Sequence, residues 1–81
     1  MKRQTRLRYI CTAQWLQEQN ATPRKAYRLN VLDISGRKPR LLRAVNDVCA
    51  SEGRARQLEA LLLRNQVSPR HVIDVLEDWL P

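Results

Sequence analysis

The chain of 81 residues holds little from which a catalytic or metal centre is built: two cysteines, one histidine, two glycines and no Phe. Cys11 and Cys49 form no CxxC pair, and His71 stands alone, so no zinc site of recognisable spacing can be assembled. No metal or cofactor is therefore expected. Gly36 and Gly53 each have a turn to explain them, which excludes a Gly-rich phosphate loop. The longest wholly apolar run, residues 60–63, is far short of the roughly 20 residues that span a bilayer, so no membrane partner is expected. The opening MKRQTRLR is basic like the start of a secretory leader, but residues 9–14 break before an apolar segment develops. The expected compartment is the cytoplasm, with both thiols free and buried on apolar faces; a single disulfide is the alternative. Length itself limits the chain to one small domain that buries roughly 60% of its unfolded surface. A two-domain enzyme and a long repeat array are excluded.

What the chain has is positive charge, unevenly placed. The net charge is +7. Residues 1–43 hold eleven Lys/Arg against Glu18 and Asp33, a net +9; residues 44–81 hold four Arg against six acids, a net −2. Twelve of the fifteen cations are Arg, whose planar fork binds phosphate in pairs of hydrogen bonds and stacks on bases. GC-rich codon usage is the bland reading of the same bias.

The patterning is α+β. Leu7, Tyr9, Cys11, Ala13 and Trp15 alternate with mostly polar neighbours, as do Tyr27, Leu29 and Val31 with Arg28 and Asn30. Period two predicts two half-buried strands, joined through a loop at 18–24 into an antiparallel hairpin over residues 6–33. Helical stripes compete in both segments, which keeps an all-α bundle as an alternative. Residues 35–39 form a turn. Leu41, Leu42, Val45, Val48 and Cys49 then read as the stripe of a first helix, about 40–51, ended by Gly53. A second helix is expected from about Arg54 to Asn65. A third, about 69–80, is capped by Ser68-Pro69. Residues 1–5 form a basic arm, and 39–80 the helical part. Tyr9 and Trp15 are both expected in the core.

Strand 26–32, helix 40–51, a turn at Glu52-Gly53-Arg54 and helix 55–65 are together similar to the ribbon-helix-helix, a DNA-binding fold. That resemblance spans residues 26–65, rests on spacing, and implies a homodimer with strands in the major groove. The first alternating segment and the third helix have no place in the minimal fold, and Gly36 and Pro39 interrupt its strand-to-helix junction.

Catalysis has little to rest on. His71, Asp74 and Asp78 share a helical face, but a solvated face with an Arg70–Asp74 pair explains them. The expected function is non-enzymatic: nucleic-acid binding, to DNA or RNA, by a regulatory protein. Phosphate contacts are assigned to Arg6, Arg8, Arg24, Lys25, Arg28, Arg37, Lys38 and Arg40, with Arg28 and Asn30 on one strand face to reach base edges. The basic residues are expected to gather in one patch. The alternative is an adaptor or inhibitor that docks on a larger host protein through Leu63, Trp79 and Leu80.

Overall fold

In the computed structural model, which describes residues 5–17, 19, 20 and 22–79, the two alternating segments are strands β1 (Leu7–Leu16) and β2 (Arg24–Asp33). They pair antiparallel, from Leu7 opposite Asp33 to Leu16 opposite Arg24. Tyr9, Cys11, Tyr27, Leu29 and Val31 are buried on one face, as period two requires. Neither segment is helical, so the all-α bundle falls.

The main correction lies at residues 40–49. They form a third strand, β3 (Arg40–Cys49), antiparallel to β2 on the side away from β1, in place of the expected helix. The reason is visible in the register. Leu32 faces Leu41 but Val31 faces Arg43, and Leu29 faces Val45 but Tyr27 faces Cys49. Two insertions within one strand break the alternation and leave Leu41, Leu42, Val45, Val48 and Cys49 at intervals that imitate a helix. Asp47, in the second insertion, takes a left-handed φ of 58°. The ribbon-helix-helix resemblance ends here, because its first helix is a strand.

Ser51 begins α1 (Glu52–Asn65): its hydroxyl accepts from Arg54 N at 3.2 Å, and Glu52 stands in the first turn. Gly53 lies inside this helix and has no positive φ, so it ends nothing. Gln66 closes the helix with φ 47°. Pro69–His71 is a 3-10 turn that leads into α2 (Val72–Trp79). The tighter turn removes the i,i+4 relation that the Arg70–Asp74 pair needs, and no such ion pair forms. Ser68 makes no side-chain cap; its hydroxyl meets His71 Nδ1 at 2.8 Å.

Both helices lie on one face of the sheet. Ala55, Leu58 and Leu62 of α1 and Val72 and Leu76 of α2 share one core with Tyr9, Cys11, Leu29, Val31 and Val48. Tyr9 is core as expected, and its hydroxyl donates to Val67 O. Trp15 is not: it is 71% exposed, because the hairpin runs past the helices. Cys11 is buried and Cys49 half-buried, both free thiols. They flank β2 on opposite sides, about 10 Å apart across two strand spacings, beyond the roughly 7 Å a disulfide spans.

Candidate nucleic-acid interface

With the odd positions of β1 and β2 turned to the helices, the even positions form an open face. Arg8, Ile10 and Thr12 of β1 stand opposite Leu32, Asn30 and Arg28 of β2, and the next row pairs Gln14 with Ala26, which is fully buried. Leu41 and Ala44 of β3 continue the rows of Leu32 and Asn30. No carboxylate lies among these residues.

Asn30 is built into this face. Its amide donates to Ile10 O at 3.0 Å, Thr12 Oγ1 at 3.1 Å and Arg28 O at 3.4 Å, so its donors are spent and only its carbonyl is left for a base edge. Arg28 has no acid partner, and its buried Nε has no hydrogen bond; nor does the buried Oε1 of Gln14, two residue pairs along on the same face. An unpaired buried polar atom costs about 1–3 kcal/mol, and both of these are covered by their neighbours on the sheet.

The expected basic residues do not gather in one patch. Arg6, whose carbonyl accepts from Ile34 N at 2.9 Å, and Arg8 lie at the end of the sheet where β2 leaves for β3, with Arg37, Lys38 and Arg40 on and beside that connection. All five are exposed. Arg40 approaches Asp33 at 3.8 Å, while the other four have no acid partner. Arg24 and Lys25 are at the opposite end, about 30 Å away along nine residue steps. Arg24 is clasped by Asp47, Nη1 to Oδ1 at 3.1 Å and Nη2 to Oδ2 at 2.7 Å. That bond holds the Asp47 carboxyl below its ordinary value. Lys25 turns its ammonium over the Tyr27 ring, 5.6 Å from the centroid. Both leave the site.

Sequence reasoning missed Gln14, which gave no signal beyond its even position. Arg43 is exposed and unpaired on β3, but it stands opposite the core residue Val31 and so lies on the helix side of the sheet, off the open face.

The remaining groups are placed elsewhere. Leu63 is 59% exposed at the C-terminal end of α1. Trp79 is half-buried under the Arg54 guanidinium, 4.2 Å from its ring, at the other end of the helix. They do not share a surface, and Leu80 lies outside the described residues. Among the described residues, no group of three or more His, Cys, Asp or Glu is placed to hold a metal ion. Burial pushes the Cys11 thiol up to about 12, with the nearby Glu59 carboxylate adding to the shift, so it carries no nucleophilic thiolate near neutral pH. No helix among the described residues is long and apolar enough to cross a membrane.

No curated protein and no solved structure matches the chain. One family model does, over residues 1–81, described as a family of unknown function (DUF6514). The match covers the whole chain, and the protein belongs to that family.

Proposed function

We propose that the protein is a small, non-enzymatic nucleic-acid-binding regulatory protein of the cytoplasm. Its phosphate contacts are Arg6, Arg8, Arg28, Arg37, Lys38 and Arg40. The observation that carries this reading is the segregation of charge. Arg8 and Arg28 of the open sheet face, with Arg6, Arg37 and Lys38 at its adjoining end, have no acid partner; the strand carboxylates are Asp33, near Arg40, and Asp47, spent on Arg24 at the opposite end. The acids Glu52, Glu59, Asp74, Glu77 and Asp78 are on the helices behind the sheet. Unopposed cations on one side attract a polyanion and release its counterions on binding. The two free thiols agree with a reducing compartment.

Titration of labelled DNA and RNA oligonucleotides at about 50 and 200 mM salt tests the reading. The expected result is micromolar or tighter binding at the lower salt that weakens at least tenfold at the higher. Absence of binding to either at the lower salt contradicts it.

A further inference from the structure

The free edge of β1 carries a second feature that the open face does not use. Arg6 O accepts from Ile34 N, so the even residues turn their backbone groups towards β2 and the odd ones turn theirs outward. At Cys11 those outward groups are taken. The N–H donates to Glu59 Oε2 at 2.6 Å, and the carbonyl accepts from Arg56 Nη1 at 3.3 Å. Leu7 and Tyr9 have no such backbone partner. Beside them the edge opens into a groove of about 720 Å³, lined by Arg6, Leu7, Arg8, Tyr9, Ile34 and the exposed Leu63.

We propose that this groove docks an extended peptide segment of a partner protein, with acidic and apolar residues in alternation, that adds to the edge of β1 as a fourth strand. The backbone groups of Leu7 and Tyr9 supply the ladder bonds, as in strand addition generally. Period two sets the apolar side chains of the segment against Leu7 and Leu63 and its carboxylates towards Arg6 and Arg8, which have no acid of their own. Charge favours this occupant over a second copy of the chain. Pairing two β1 edges antiparallel brings Arg6 and Arg8 of one copy against those of the other, and like charges across a ladder destabilise it. The Glu59–Arg56 clasp on Cys11 ends the ladder, so the docked strand is short.

The test uses the full chain and a fluorescein-labelled peptide of alternating Glu and Val, with a Lys/Val peptide as control, at about 50 mM salt, where charge is weakly screened. Amide exchange is followed by NMR in parallel. The Glu/Val peptide binds and the control does not. The Leu7 and Tyr9 amides, fast in the free protein, slow about tenfold or more on binding, while those of Ala13 and Trp15, beyond the clasp, do not change. Leu63→Asp, at an exposed position outside the core, and Arg8→Glu each weaken binding by about tenfold or more. The proposal is overturned if the Glu/Val peptide does not bind, if it binds without slowing those two amides, or if neither variant weakens it. Slowing of the same amides by self-association of the free chain, or equally by a single-stranded oligonucleotide, also overturns it.

Discussion

Leu58 and Cys11 show what burial does at single positions in a thin core. Leu58 is fully buried on α1 and shares the core with Leu29, Leu62 and Val72. Its truncation to Ala removes apolar contact and leaves a cavity, at a cost of about 2–5 kcal/mol. A denaturant titration of Leu58→Ala is expected to show that loss, a large part of the 5–15 kcal/mol typical of a whole domain. Cys11 is held protonated in the fold, pushed up to about 12. An unfolded thiol ionises near 8.5. A raised folded value contributes stability that is complete below the unfolded value and lost as pH rises through the folded one. Unfolding midpoints are therefore expected to fall between about pH 8.5 and 12, and Cys11→Ser to flatten that fall. Two of the core residues named here were legible in the chain: Tyr9 and Cys11 alternate with polar neighbours as a half-buried strand must. Trp15 follows the same alternation yet is exposed. Parity gives the face of a strand, but not how far the covering helices extend along it.

Among the elements, β1 is an edge strand, and edge strands need protection from unwanted pairing. Here α1 supplies it from two residues spaced i,i+3: Glu59 takes the Cys11 N–H and is itself held by Arg56 at 2.7 Å. Glu59→Ala orphans that N–H, and the expected loss is about 1–3 kcal/mol with faster exchange of the Cys11 amide. Arg24 and Asp47 tie the end of β2 to the second insertion of β3. Because Arg24 depresses the Asp47 carboxyl, this tie is present above the ordinary carboxylate range near pH 4 and is lost as pH falls below it. An acid titration followed by NMR is expected to show Asp47 protonating below its ordinary midpoint, and Arg24→Ala to restore that midpoint. The helices after residue 51 were readable from Ala55, Leu58 and Leu62 and from Val72 and Leu76, which keep helical spacing. Strand β3 was not. Its two insertions put Leu42 and the Asn46-Asp47 pair into the alternation, and no local signal separates that from a helical stripe.

At the scale of the molecule, the uneven charge of the sequence becomes a two-sided object. Cations stand on the open sheet face and at the β2–β3 end, and most acids stand on the helices behind. The sequence located the basic half, and the hairpin located Arg6, Arg8 and Arg28 on its outer side. It could not show that Arg24 and Lys25 lie about 30 Å from the other basic end, because that depends on hairpin register. Nor could it show that Arg24 is spent on Asp47, since that contact closes only when residues 40–49 become a strand.

The most direct test of the proposed function compares the salt dependence of oligonucleotide binding for the native chain, Arg8→Ala/Arg37→Ala and Lys25→Ala. Each phosphate contact contributes about 0.7–0.9 to the slope of log K against log salt. The double variant is expected to lower that slope by about 1.5 and to weaken binding, while Lys25→Ala leaves both unchanged. Equal losses for Lys25→Ala, or an unchanged slope in the double variant, would contradict binding through the open face and its basic end.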